Sequence, residues 1–270
     1  MEAVSHTAQW TAAARALESE REDALFDDPY ARAVAGEKGF DLLKRYASPV
    51  TVDYLALRTL YLDQVLLAAL EEHGVEQVVL VAAGMDTRPY RLEWGHKVAV
   101  FELDRAPLLE AKEKLLAGAA LPGELTRTTV AVDLAGSWET ALRDAGFRTE
   151  SRTLWIVEGL LYYLEEEAAR GLLTTLARLS SPGARVAGDV ISVAALSNPV
   201  ARPFIKALEE DGAPWLFGTD APEELLRACG WTAEEVKQPG EEGSGRWPYA
   251  VLPRQVPDVP RNFLFTAALR

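Results

Sequence analysis

The sequence predicts an α/β protein with a mostly parallel, Rossmann-like sheet of seven strands and helices on both faces. Short apolar segments rich in β-branched residues alternate with helical segments from residue 77 onward, as in βαβ units. The turn Ala82-Ala83-Gly84 follows the first segment, and the carboxylate of Asp104 ends the second one. Because ligands bind beyond the carboxyl ends of parallel strands, these residues indicate a nucleotide site.

The composition is that of one large globular domain. The chain has 270 residues, of which 49% are hydrophobic, a formal net charge of −13 and a single cysteine, Cys229. The acidic charge opposes nucleic-acid binding, because phosphates would be repelled. No apolar run is long enough to cross a membrane, and the N-terminus lacks a secretory h-region. A lone cysteine excludes an intrachain disulfide, so we expect a cytoplasmic protein. From the charge and the lack of a long apolar run, we expect neither nucleic acid nor a membrane as partner.

Residues 1–74 predict a helical extension ahead of the sheet. Residues 11–21 are rich in good helix formers, and a second helix is expected after Asp28-Pro29, with the aspartate as its N-cap and the proline in its first turn. A longer helix over residues 52–70 should end at Gly74. We expect the extension to lie over the sheet edge or the mouth of the ligand site.

The rest of the chain divides into a core, residues 75–192 and 221–270, and an inserted helical cap, residues 193–220, in which prolines alternate with large apolar residues. The predicted strands are 77–82, 97–103, 126–132, 153–158, 184–191, 231–237 and 263–269, and the predicted core helices are 105–117, 137–145, 165–180 and 222–229. Residues 238–249, with PGEEGSG, predict a flexible loop.

The glycine turn does not match the G-x-G-x-x-G pattern of dinucleotide sites, because Ala82 stands where the first glycine would be. A pyrophosphate requires backbone amides at a helix N-terminus, whereas a nucleoside without phosphates does not. The turn therefore favours a ligand such as S-adenosylmethionine over a nicotinamide dinucleotide.

Four motifs, in this order, resemble the leucine carboxyl methyltransferase family. They are AAGMDTRPYRL from residue 82, FELD from residue 101, VDL from residue 132 and WIVEGLLYYL from residue 155. The resemblance covers about residues 10–192, and the C-terminal VPRNFLFTAAL is similar to the bacterial branch. It implies an S-adenosylmethionine-dependent methyltransferase of the Rossmann-like class. In the bacterial branch the acceptors include small molecules, among them those of polyketide-type O-methyltransferases.

The resemblance also implies a set of cofactor-binding residues: Arg15, Arg58, Gly84, Asp104, Asp133, Leu134 and Glu158. The two arginines would pair with the cofactor carboxylate, and Gly84 would pass beneath its methionine part. Asp104 would accept the ribose hydroxyls, since an ionised carboxylate accepts two hydrogen bonds side by side. Asp133 and Leu134 would border the adenine, and Glu158 would lie under the sulfonium.

Several of these residues also have a structural interpretation. Asp86, Asp104 and Asp133 each precede a predicted helix and could cap it. Arg58 could be an ordinary helix-surface arginine. The histidines His6, His73 and His96 show no metal-ligand spacing, so we expect no metal.

The sequence offers no decisive general base. Tyr162, Tyr163 and Asp189 are candidates for a base or for positioning the acceptor, and Tyr30 is a further candidate for the base. The candidate acceptor contacts are aromatic: Tyr30, Phe204, Trp215 and Phe217. These side chains would suit a flat, aromatic or apolar small molecule, although cap aromatics could also be ordinary core.

We expect methyl transfer by in-line displacement to a carboxyl or hydroxyl oxygen of a secondary metabolite, with S-adenosylhomocysteine as the product. A carboxylate acceptor would need no base, because it is already ionised at neutral pH. Four alternatives remain: a C- or N-methyltransferase of an aromatic or indole-type metabolite, an NAD(P)-dependent oxidoreductase, a non-catalytic cofactor-binding protein, and a protein carboxyl methyltransferase. The sequence does not predict the oligomeric state.

Overall fold

The computed structural model describes residues 3–46, 48–199 and 201–269, and within them the side chains from residue 7 onward, except residue 49. The side chain of His6 therefore lies outside the described residues. The seven strands are β1 Gln77–Val81, β2 Ala99–Asp104, β3 Thr126–Ala131, β4 Thr153–Val157, β5 Arg185–Ile191, β6 Thr232–Lys237 and β7 Asn262–Ala268. They form one sheet in the order β3-β2-β1-β4-β5-β7-β6, in which β7 alone runs antiparallel to its neighbours. The predicted fold class is confirmed.

The helices are α1 Ala3–Ser19, α2 Ala31–Tyr46, α3 Pro49–His73, α4 Arg88–Arg91, α5 Ala106–Leu115, α6 Glu139–Asp144, α7 Glu166–Arg178, α8 Val193–Ser197, α9 Arg202–Glu210 and α10 Pro222–Ala228, with a short 3-10 helix at Leu161–Tyr163. The sequence pattern located the core helices within a few residues. It placed the start of α3 three residues late, because the Ser48 hydroxyl accepts from the Thr51 amide and so caps the helix ahead of Pro49. Gly74 ends α3 in the left-handed conformation, as predicted.

The start of α2 differs from the expectation. The helix begins at Ala31, two residues beyond Pro29. The carboxylate of Asp28 accepts from the Tyr30 amide at 3.2 Å, but its second oxygen lies against Arg15 at 2.9 Å. Asp28 is therefore a buried ion-pair partner more than a helix cap.

The core has one apolar layer on each face of the sheet. Strand β1 contributes side chains to both layers. Val78 and Leu80 face the layer that contains α1–α3, and Val79 and Val81 face the layer that contains α7 and α10. A strand buried on both faces explains the unbroken apolar run in its sequence. Among the described residues, no helix is long and apolar enough to span a membrane.

Candidate functional site: a cavity at the carboxyl ends of the strands

A cavity of about 940 Å³ opens beyond the carboxyl ends of the central strands. This volume lies near the top of the usual range for ligand pockets, about 300–1,000 Å³. Its walls come from α1, α3, the turn after β1, the segment after β4, the cap and the loop between β6 and β7. The cavity therefore lies where the strand order predicts a ligand, and it is large enough for two ligands side by side.

The turn after β1 forms the floor of one end. Gly84 has φ +49°, and its amide donates to Asp104 Oδ2 at 2.7 Å. A Cβ atom built on Gly84 would lie 3.1 Å from the Cβ of Ala8, so helix α1 packs directly over this turn. Ala82 adopts φ +56°, a left-handed conformation that glycine tolerates better than any side-chain residue.

Asp104 is half-buried at the tip of β2 and lines the cavity. Its other oxygen accepts from the Arg105 amide at 2.7 Å. Burial raises the pKa of Asp104 even though the two backbone amides oppose that rise. A carboxylate held by two amides still has lone pairs available, and neighbouring hydroxyl donors would suit them. A ribose diol fits this site.

Asp133 and Leu134 follow β3 and line the outer part of the cavity. Asp133 is exposed and its carboxylate accepts from the Ala135 amide at 3.0 Å, whereas Leu134 is half-buried. Asp133 therefore stabilises its own turn without capping α6, which begins six residues later at Glu139.

Glu158 lies at the centre of a buried ion-pair network. One of its oxygens is 2.9 Å from Arg58 Nε and the other is 2.7 Å from Arg88 Nη1. Burial alone would raise the pKa of Glu158, but the two guanidinium groups outweigh it and lower the pKa to about 2. Glu158 is thus a permanent anion and a very weak base.

The side chain of Arg58 is buried, so the interpretation of Arg58 as a solvent-exposed helix arginine is wrong. Besides Glu158 it contacts Asp189 at 3.1 Å and donates to the Tyr162 hydroxyl at 3.0 Å. Asp189 is fully buried, does not line the cavity, and also accepts from the Tyr54 hydroxyl at 2.8 Å. Asp189 therefore orients Arg58 and is shielded from any acceptor in the cavity.

Tyr162 and Tyr163, the last two residues of the 3-10 helix, line the cavity with protonated hydroxyls. Burial raises the pKa of Tyr162 well above its usual value, and burial also raises that of Tyr163. Neither hydroxyl can serve as a base near neutral pH, although both can position an acceptor.

Arg15 also lines the cavity, where it pairs with Asp28 and donates to the Met85 carbonyl at 2.6 Å. Arg88 was not among the residues predicted from the sequence, and it is buried against Asp63 at 2.7 Å and Asp86 at 2.6 Å. The signal was present, because DTRPYRL sets charged residues directly after the glycine turn, where the sheet buries them.

A row of aromatic rings also lines the cavity. The ring centroids of Tyr163 and Tyr162 are 4.9 Å apart, those of Tyr162 and Trp215 are 4.7 Å apart, and those of Trp215 and Phe204 are 5.1 Å apart. Trp10 continues the row at 6.2 Å from Phe204. Two of the predicted acceptor contacts, Phe204 and Trp215, therefore lie in the cavity wall.

The other two do not line the cavity. Phe217 is buried in the apolar layer on the α7 side of the sheet, although it lies only two residues after Trp215. Tyr30 packs on Tyr90, with ring centroids 5.8 Å apart, and contributes to the core under α2. The prediction that Phe217 and Tyr30 contact the acceptor is therefore wrong, because both pack in the core.

The loop of residues 238–261, called here the β6–β7 loop, forms a wall of the cavity that the sequence did not predict. Trp247 and Leu252 are among its lining residues. Arg246 pairs with Glu18 at 2.8 Å and the Tyr249 hydroxyl donates to Asp53 at 2.8 Å. These contacts fix to α1 and α3 a segment that was expected to be flexible.

Comparison with known proteins assigns the chain to a family. The model of the leucine carboxyl methyltransferase family matches residues 8–177. The chain belongs to the leucine carboxyl methyltransferase family. A relative from Parafrankia, provisionally named an S-adenosyl-L-methionine-dependent methyltransferase, is 43% identical over 86% of this chain and 78% of its own length. A relative of the same provisional name from Mycolicibacterium smegmatis is 41% identical over 69% of this chain and 66% of its own length.

Solved structures of low sequence identity share the fold. A DUF574 family protein from Streptomyces avermitilis has a TM-score of 0.64 at 15% identity and covers 96% of this chain and 97% of its own. Magnesium protoporphyrin IX methyltransferase from Synechocystis, solved with bound S-adenosylhomocysteine, has a TM-score of 0.51 at 14% identity, covering 87% and 95%. This family member is accordingly an S-adenosylmethionine-dependent methyltransferase with a Rossmann-like core.

Proposed function

We propose that the protein methylates a carboxylate oxygen of a small molecule that carries an aromatic or apolar body. The observation that carries the proposal is that none of the candidate groups at the reaction end, Glu158, Tyr162, Tyr163 and Asp189, is a usable base. Glu158 has a pKa of about 2, Tyr162 is held as a phenol, and Asp189 is shielded beneath Arg58. An acceptor that is already ionised at neutral pH needs no base.

The cofactor supplies an activated methyl group on a sulfonium sulfur. We place its ribose at Asp104, its methionine part over Gly84 and its adenine beside Asp133 and Leu134. Glu158 then presents a fixed negative charge close to the sulfonium, which favours the cationic reactant over the neutral product. Arg58 and Arg15 lie nearby and would receive the cofactor carboxylate.

The residues of this chain contribute mainly by aligning the two reactants and by excluding water. The acceptor oxygen forms the new C–O bond while the C–S bond breaks, and the sulfur keeps the electron pair, so no proton has to be removed from a carboxylate. The hydroxyls of Tyr162 and Tyr163 would orient the acceptor, and α1 together with the β6–β7 loop would exclude water. Holding two reactants in line can supply about 7–11 kcal/mol of the barrier reduction.

A second set of observations supports an aromatic or apolar acceptor body. The row from Tyr163 to Trp10 lines the cavity, and the ring separations of 4.7–6.2 Å are those of favourable aromatic contacts. A flat ring would add one more member to this row. A purely polar acceptor would leave these faces without a partner.

The test is transfer of a radiolabelled methyl group to a panel of aromatic acids, phenols and amines of matched size. Methyl esters release volatile methanol in mild base, whereas methyl ethers, methylamines and C-methyl products do not. We expect labelled product from the acids alone, and all of it base-labile. Base-stable product from phenols or amines would reject carboxyl methylation and would favour the C- or N-methyl alternatives.

A further inference from the structure

Four arginines are buried in the described part of the chain: Arg15, Arg58, Arg88 and Arg261. The first three each lie within 3 Å of at least one carboxylate oxygen. Arg261 is 8% exposed, lines the cavity, and has no carboxylate within ion-pair distance among the described residues. A buried cation without a counter-ion is costly, so this guanidinium requires a separate explanation.

The hydrogen bonds of Arg261 do not neutralise its charge. Nη1 donates to the Val259 carbonyl at 2.8 Å, and Nη2 donates to the carbonyls of Pro253 and Val256 at 2.6 and 3.1 Å. A guanidinium has five N–H donors, and Nε is buried without any acceptor in the described structure. The site therefore has a full positive charge and donor capacity that no described residue uses.

The position of Arg261 separates it from the reaction end. It directly precedes β7, where its amide donates to the Ser192 hydroxyl at 2.8 Å beyond the end of β5. Glu158 directly follows β4, which is two strands away from β7 in the sheet. Glu158 is level with Asp189 of β5, whereas Arg261 is level with Ser192, about three residues farther along β5. With strands about 4.8 Å apart and a rise of about 3.3 Å per residue, the two positions differ by about 10 Å in each direction.

The aromatic row lies on the same wall as these two positions. Ile191, the last residue of β5, packs with Tyr162, and Trp215 packs against the same cluster. Ser192, the next residue, accepts from the Arg261 amide, and both Tyr162 and Arg261 line the cavity. An acceptor whose carboxylate lies at Tyr162 and whose long axis follows this wall past the end of β5 would bring its far end to Arg261.

We propose that Arg261 is a specificity-determining residue that binds a second anionic group of the acceptor, at the end remote from the methylated carboxylate. The substrate class is thus an elongated aromatic dianion, which leaves the enzyme as a monoester. This inference rests on the proposed function, because it concerns the acceptor of that reaction. The guanidinium fork suits a carboxylate, which it can contact through two parallel hydrogen bonds.

The test compares two probes that share the same ring system. Naphthalene-2,6-dicarboxylate has two carboxylates and 2-naphthoate has one, and each is titrated by calorimetry into the protein saturated with S-adenosylhomocysteine. We expect the wild type to bind the dicarboxylate at least tenfold more tightly. Arg261→Gln should reduce this preference to less than twofold and leave the affinity for 2-naphthoate unchanged.

Arg254→Gln is the matched control, because Arg254 lies on the same loop but pairs with Glu223 at 2.6 Å and does not line the cavity. It should keep the wild-type preference. Arg261→Lys retains the charge without the three carbonyl contacts, so it should keep a preference above twofold. Loss of the preference in Arg261→Lys, equal to that in Arg261→Gln, would assign Arg261 to loop structure alone and overturn the proposal.

Equal affinity of the wild type for both probes would also overturn it, and so would failure to bind either one at millimolar concentration. These outcomes are separable from failure of the proposed function. Binding of S-adenosylhomocysteine is measured first on the same samples, and esterification of 2-naphthoate needs no second anion.

Discussion

The guanidinium of Arg58 lies 2.9 Å from the carboxylate of Glu158, although 100 positions separate them in the chain. The contact joins α3 of the N-terminal extension to the end of β4 in the core. Glu158 is simultaneously bound by Arg88, so one carboxylate holds two buried cations. The electrostatics of the reaction end therefore depend on the N-terminal extension as much as on the sheet.

This ion pair predicts a specific pH dependence of stability. The pKa of Glu158 is about 2 in the folded protein and 4.5 for the free group. Because the folded value is lower, the stabilising contribution is complete above about pH 4.5 and is lost as the pH falls toward 2. We expect the free energy of unfolding to fall over this window by an amount on the order of 2–3 kcal/mol from this group.

Glu158→Gln is the control for that prediction. The substitution should destabilise the protein at pH 7 by roughly 3 kcal/mol, because the buried Arg58 and Arg88 both lose the negative charge with which they pair. Its urea-unfolding free energy should also vary less between pH 4.5 and 2 than that of the wild type. An identical acid slope in both proteins would show that other carboxylates carry the effect.

The raised pKa of Asp104 predicts that cofactor affinity depends on pH, independently of the effect of Glu158 on stability. Burial raises the pKa of Asp104 above its ordinary value of 3.8, and only the ionised form can accept from both ribose hydroxyls. Affinity should therefore weaken as the pH is lowered toward that raised pKa. Fluorescence titrations of S-adenosylhomocysteine across this acid range should show the weakening in the wild type and a flat profile in Asp104→Asn.

Ala82 predicts a stabilising substitution. Its φ of +56° is one that glycine adopts without strain, whereas an L side chain incurs about 1–2 kcal/mol. Ala82→Gly should raise the free energy of unfolding by up to about 1 kcal/mol after the greater chain entropy of unfolded glycine is subtracted. Thermal denaturation compares the two proteins, and a lower midpoint for Ala82→Gly would mean that the methyl group makes packing contacts worth more than the strain.

Trp215 and Phe217 lie two positions apart and predict opposite phenotypes. Trp215 lines the cavity, so Trp215→Ala should raise the KM for the acceptor about tenfold or more and leave the cofactor Kd within about twofold. Phe217 is buried in the core on the other face, so Phe217→Leu should lower stability by about 1 kcal/mol and leave the acceptor KM unchanged. Equal effects of Trp215→Ala on both ligands would remove it from the acceptor site.

Sequence patterns predicted the parts of this fold that depend on local chemistry. The buried strands, the left-handed Gly74 and the position of Asp104 at the tip of β2 follow from apolar runs and turn residues, which are local signals. Four of the five rings in the aromatic row, Tyr162, Tyr163, Phe204 and Trp215, were candidates from the sequence, whereas Trp10 comes from a helix almost two hundred residues before Phe204 and was not.

The parts that were not predicted depend on contacts between distant segments. Arg88 and Arg58 become neighbours of Glu158 only through the packing of α3 and the turn after β1 on the sheet. The glycine-rich sequence of the β6–β7 loop suggested flexibility, yet Arg246 and Tyr249 fix it to partners more than 190 positions away. No periodicity or turn signal encodes such pairings.

The most direct measurement is a calorimetric titration of S-adenosylmethionine and S-adenosylhomocysteine into the wild type and Asp104→Asn at neutral pH. The account predicts micromolar binding of both to the wild type, and weakening by roughly 1–3 kcal/mol in the variant, as expected for loss of a charged acceptor. Thermal melts without ligand serve as the control that the variant is folded. Binding to the wild type that Asp104→Asn leaves unchanged, or no binding to the wild type, would contradict the placement of the cofactor in this cavity.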